Sequence, residues 1–134
     1  MEQDPQETER TREDFRRWQA AISRMAKEDR IYMKLSGAFS ELMDQDPCKP
    51  LDVDTIVQRI QPWTDHVFHE FGPWRIMFGS DWPVCNVRGP GDERSWSLWV
   101  EVVHQIMQIQ NLSDIEQARI WHGTATEAYR LAPS

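Results

Sequence analysis

The stretch RIMFGSDWPVCNVRGPG, from Arg75 to Gly91, decides how this chain is read. Ile76, Met77 and Phe78 form a short apolar run. Gly79 breaks it, and Ser80, Asp81 and Trp82 follow before Pro83, which has no backbone donor to continue a ladder. An apolar run without alternation is the pattern of a strand buried on both faces, as in parallel sheets. The pattern predicts a strand over 75–79 with a carboxylate, Asp81, at its carboxyl end. CNVRGPGDE, residues 85–93, then reads as a loop with two glycines and a proline.

Upstream, Phe15, Trp18, Ile22 and Met25 recur at three- and four-residue steps, which predicts a helix from Thr11. Arg12, Glu13, Arg16 and Arg17 give its other face a solvated mixture of charge. Residues 1–10 are polar and read as a disordered tail, leaving 11–134 as one domain. Ile31, Tyr32, Met33 and Leu35 predict a second strand that ends at Ser36-Gly37. Residues 38–54 carry Pro47 and Pro50 and read as a long connection. Helical spacing resumes at Ile56, Val57 and Ile60. Pro62 predicts a break there, with a second helix from Pro62 to Phe71 stopped by Gly72-Pro73. Trp96, Trp99, Val100, Val103, Ile106 and Met107 form the apolar stripe of another helix. SDIE at 113–116 and TATE at 124–127 are capping-box patterns for two short final helices separated by Gly123.

The order is helix, strand, helices, strand, helices, an α/β pattern with parallel strands. Two such strands make no stable sheet alone. They cannot close an eight-stranded barrel either, which takes about 250 residues; this chain has 134.

Bulk properties narrow the function. The net charge is −7, which argues against a nucleic-acid binder. The longest apolar runs are far short of the ~20 residues of a membrane helix. The polar start, MEQDPQETERTRED, is no secretory signal. A cytoplasmic protein with no nucleic-acid or membrane partner is the expectation. Cys48 and Cys85 form no C-x-x-C pair, and nothing in their spacing supports a disulfide. Six of the seven tryptophans fall from Trp63 onward, and read as core and helix-packing anchors apart from Trp82 beside Asp81.

The residues alone leave the chemistry open. Asp81 could cap the turn after the strand or face a substrate. Trp82 could line a pocket or pack under the loop. Lys34 could reach solvent or a site, and Arg88 could bind an anion bidentately or stay solvated. Ser80 lacks the G-x-S-x-G surroundings of a nucleophile. His66, His69 and Glu70 could share a helix face, but a helix packed outside a barrel would point them away from the strand ends.

RIMFGSDWPV resembles the last barrel strand of the amidohydrolase-related family of TIM-barrel hydrolases, the branch of sugar and dicarboxylate lactonases. YMKLSGAFSEL resembles the preceding strand, and DFRRWQAAISRMAKEDRIYMKLSG the helix that leads into it. HVFHEFGPWRIMFGSDWP is similar to the helix-to-strand passage. ARIWHGTATEAYRL is similar to the closing helix, with Thr124-Ala125 where the family usually has Asn-Ala. The likeness runs from about Asp14 to Leu131. It implies the C-terminal portion of a (β/α)8 barrel, an incomplete barrel of two parallel strands and flanking helices.

The resemblance also implies chemistry. Asp81 falls on the strand-end carboxylate that orients or deprotonates the attacking water, and that also ligates a metal in metal-bearing members. Trp82, Lys34, Ser36 and Arg88 become the candidate substrate contacts. The substrate is a lactone or related carboxylate-bearing small molecule. A divalent metal, zinc first, is implied for a complete enzyme, with Asp81 as its one ligand in this chain. The first-strand His-x-His pair and the middle-strand histidines have no match here; the four histidines are His66, His69, His104 and His122. The expectation is therefore a truncated, relic or split hydrolase, inactive by itself. The alternative is a non-catalytic barrel fragment that self-associates or joins an assembly through its open sheet edges.

Overall fold

The computed structural model describes residues 5–38, 52–84 and 94–132. Cys48, Cys85, Asn86 and Arg88 lie outside them. The chain divides into two units, residues 1–31 and 32–134.

The first unit is helix α1, Pro5–Ala26. It starts six residues before Thr11, so residues 5–10, expected to be disordered, are helical. Apolar periodicity could not show this start, because charge pairing accompanies it. Glu9 pairs with Arg12 and Arg16 at one and two turns' distance, and Glu13 with Arg17. Such exposed pairs stabilise a helix by only tenths of a kcal/mol each. Pro5 suits a first turn, where its missing N–H has no intrahelical partner to lose. Phe15 and Trp18 stack with ring centroids 5.7 Å apart.

The second unit holds both strands. β1 is Met33–Leu35 and β2 is Ile76–Phe78. They pair in parallel, with Met33 opposite Ile76, Lys34 opposite Met77 and Leu35 opposite Phe78. Both are shorter than the sequence pattern predicts. Trp74 and Arg75 belong to a 3₁₀ turn, Pro73–Arg75, that feeds β2.

Helix α2, Val53–Phe71, joins the strands. Asp52 caps it by accepting from the Thr55 backbone N–H at 2.7 Å, and those donors hold its carboxyl below the usual range. The break predicted at Pro62 does not occur; the helix runs through. Proline here removes the bond to the Gln58 carbonyl. Both residues are exposed, so water can take that carbonyl, and the buried stripe holds the helix together. That stripe is Ile56, Val57, Ile60, Thr64, Val67, Phe68 and Phe71.

Helix α3, Ser95–Ile109, packs on α2 with Leu98, Trp99, Val102, Val103, Ile106 and Met107 buried. Gln105 donates to Asp54 at 2.8 Å and Gln110 to Asp65 at 2.7 Å, two polar ties along the seam. Ile56, Ile76, Ile106 and Met107 are all but fully buried. Each such side chain contributes about 1.5–3 kcal/mol of burial.

Helix α4, Asp114–Ala118, starts with the predicted capping box: Glu116 N–H donates to Ser113 Oγ, and Ser113 N–H to Glu116 Oε2 at 2.8 Å. The second box fails. Arg119–Gly123 form a π-helical turn that continues into α5, Thr124–Ala128, so Gly123 separates nothing. Thr124 is buried, and its hydroxyl donates to the Trp74 carbonyl at 3.3 Å instead of capping. Glu127 turns to Arg119 at 2.7 Å and to the Tyr32 hydroxyl at 2.9 Å. Arg119 also donates to the Trp74 carbonyl at 3.0 Å. A tertiary claim on both box residues overrides the local motif. This network sits where the chain enters the two strands, at their amino ends.

Candidate functional site

The opposite, carboxyl ends of the strands carry Asp81. The ladder closes with Gly79 N–H donating to the Leu35 carbonyl at 3.2 Å. A Cβ on Gly79 would stand 3.1 Å from the Ser36 Cβ, so glycine lets the two strand ends approach. The Gly79 carbonyl accepts from the Trp99 indole N–H at 2.9 Å. Ser80 Oγ then accepts from the Trp82 backbone N–H at 3.2 Å, a small side-chain-closed turn. The Trp82–Pro83 peptide bond is cis.

Asp81 has φ +56°, in the left-handed region that aspartate tolerates better than most residues. This turns its carboxylate back across the strand ends. A Cβ placed on Gly37 would lie 3.4 Å from Asp81 Oδ2. Gly37 itself has φ +75°. The carboxylate is exposed and stands beside the end of the neighbouring strand. The turn-closing bond belongs to Ser80, which leaves the carboxylate oriented by backbone shape rather than spent on that bond.

Ser36 faces Gly79 at the same rim, and Trp82 is half exposed one residue beyond Asp81. Lys34 is set one pleat lower. Its ammonium is 5.5 Å from the centroid of the Tyr129 ring, and the Tyr129 hydroxyl beside it holds it above its ordinary value; Asp81 adds a smaller pull. Arg88 is outside the described residues. The sequence singled out neither Gly37 nor Gly79 nor the Trp99 indole as parts of this rim. Glycine at both strand ends was the available sign.

A cavity of about 850 Å³ lies elsewhere, lined by Arg119, His122, Thr126, Glu127 and Arg130. It adjoins the amino ends of the strands, away from Asp81. His104 packs against Trp121, and His66 and His69 lie on α2. Among the described residues no three of His, Cys, Asp and Glu gather as a metal site. Zinc takes three or four protein ligands, so these residues alone do not fit a metal centre; Asp81 could supply one ligand. Among them, too, no helix is long and apolar enough to cross a membrane.

In TIM barrels active sites lie at the carboxyl ends of the strands, the end of this parallel βαβ unit that carries Asp81. The chain belongs to the amidohydrolase family, whose sequence profile matches residues 4–131. It is 31% identical over 119 residues to an L-rhamnono-gamma-lactonase of Scheffersomyces stipitis, covering 88% of this chain and 34% of that protein. It is 33% identical over 117 residues to an L-fucono-1,5-lactonase of Burkholderia multivorans, covering 86% and 36%. Its fold matches the crystal structure of an amidohydrolase from Burkholderia multivorans with bound zinc at a TM-score of 0.70 and 32% identity, covering 87% of this chain and 37% of that one. The chain thus spans about a third of the length of these relatives. Its fold class is α/β, a portion of a TIM-barrel amidohydrolase with an incomplete sheet.

Proposed function

We propose that this chain carries the water-activating rim of a lactone hydrolase, with Asp81 as general base. Water attacks the lactone carbonyl carbon while Asp81 takes its proton. The ring C–O bond then breaks, and the proton passes to the leaving oxygen to give the hydroxy acid. A carboxylate suits this task when it holds a water within hydrogen-bond reach and lies open to the substrate. Trp82 and Ser36 flank the reacting group. Lys34 below them holds an anionic or hydroxylated part of the sugar acid. The remaining groups of the reaction come from outside the described residues.

The observation that carries the reading is the placement of Asp81: exposed, at the carboxyl end of β2, with Oδ2 beside Gly37 at the end of β1. The lactonases among its relatives support the substrate class. The test is Asp81→Asn in a full-length version of the enzyme, assayed on a panel of aldonolactones by proton release. The expected loss in kcat is about 100- to 10,000-fold, the usual worth of a positioned base, with KM little changed. Turnover retained in that variant removes Asp81 from the mechanism.

A further inference from the structure

We propose that Trp99 is a positioning residue for the Asp81 carboxylate, acting through the Gly79 carbonyl; this rests on the reading of Asp81 as base. The Leu35 carbonyl takes the last donor of the ladder, Gly79 N–H. The next backbone acceptor, Gly79 O, is held by no strand among the described residues. It is taken by an indole N–H from helix α3, twenty residues further on. That bond fixes the Gly79–Ser80 peptide plane, two residues before Asp81. Downstream, the Ser80 hydroxyl fixes the Trp82 N–H. Asp81 is therefore clamped from both sides, and its left-handed φ converts the orientation of that plane into the direction of the carboxylate.

The anchor is rigid because Trp99 is almost fully buried in the α3 stripe, and α3 packs on α2. Its indole ring is core packing; its N–H reaches the rim. A buried indole N–H calls for a partner, and the partner here belongs to the strand end. Without the N–H, the half-buried carbonyl seeks another donor, the peptide plane rotates, and the carboxylate leaves its place beside Gly37. A misplacement of about 1 Å at a reacting group can lower the rate ~100-fold.

Trp99→Phe keeps an aromatic ring and deletes the donor. Val103→Ala, in the same buried stripe, is the packing control. The readouts are kcat and KM on the aldonolactone panel, and the chemical shift of the Asp81 carboxyl carbon at one fixed pH, followed by NMR. Trp99→Phe is expected to lower kcat by about 10- to 100-fold with KM nearly unchanged, and to move the Asp81 carboxyl signal. Val103→Ala is expected to lower thermal stability and leave both readouts alone. Wild-type turnover with an unmoved carboxyl signal in Trp99→Phe overturns the proposal, as does a Val103→Ala variant that reproduces its effects. If Asp81→Asn turns over normally, the base reading falls by itself. The Asp81 carboxyl signal in Trp99→Phe then still decides whether Trp99 sets the carboxylate.

Discussion

Gly37→Ala tests whether the rim geometry is stored in the backbone. Gly37 has φ +75°, where an L side chain strains the chain by about 1–2 kcal/mol. Alanine also stiffens the unfolded chain, which returns about 0.4–1 kcal/mol. The new Cβ would lie 3.4 Å from Asp81 Oδ2, an ordinary van der Waals distance, so a clash adds little. The net expectation is a destabilisation of about 0.5–1.5 kcal/mol. In urea, with a slope of about 1–3 kcal/mol per molar, this lowers the midpoint by several tenths of a molar. Tryptophan fluorescence can follow the unfolding. Gly37→Asn should be less destabilising, because asparagine tolerates the left-handed region. Both variants should lower turnover, since each sets atoms against the face of the carboxylate that would hold water. An alanine variant as stable as the parent, or an asparagine variant as unstable as the alanine one, would refute the backbone reasoning.

Two further outcomes follow from the fold. Pro62→Ala restores a donor for the exposed Gln58 carbonyl inside α2 and should stabilise the chain by about 1–3 kcal/mol; a lower urea midpoint would show that Pro62 has a tertiary role. Stability should also fall in acid. Arg119 first, and then Tyr32, hold Glu127 below its ordinary value, as the Ser113 donors hold Glu116 and the Thr55 donors Asp52. A carboxyl lowered by folding contributes stability above its unfolded value, and loses it as pH falls through the folded one. Glu127→Gln should therefore flatten the acid limb of urea stability against pH; an unchanged limb would mean that the Arg119–Glu127–Tyr32 network contributes nothing to folding.

The C-terminal third shows where local signals hold and where they fail. SDIE and TATE are equivalent motifs by spacing, yet only Ser113 and Glu116 form the box. Among the described residues nothing else competes for those two side chains. Thr124 and Glu127 are claimed by Trp74 and Tyr32, residues far away in the chain, and Glu127 also by Arg119 on the preceding turns. Pro62 is a similar case. Its local effect on the helix is real, but a continuous buried face on both sides outweighs one missing bond. At α1 the reverse occurred, because charge pairs rather than apolar spacing accompany its first turns.

At the site, the position of Asp81 at the end of β2 was legible, because the apolar run and the Gly-Ser-Asp break mark a buried strand and its stop. The parallel pairing was legible too, through the α/β order and the resemblance to barrel hydrolases. What surrounds the carboxylate was not. Trp99 reads from spacing as one more apolar helix position, since periodicity reports a ring's burial and is blind to the partner of its N–H. Lys34 reads as a residue near the strand end, while its seat against Tyr129 depends on how the last helix folds back. Sequence by itself determined the elements, their order and the acidic strand end, because these follow from local hydrophobicity and backbone chemistry. Only the tertiary structure decided which way the carboxylate faces, because that direction is set by Gly37 and Trp99 across the fold, and contacts between residues distant in the chain leave no periodic trace in it.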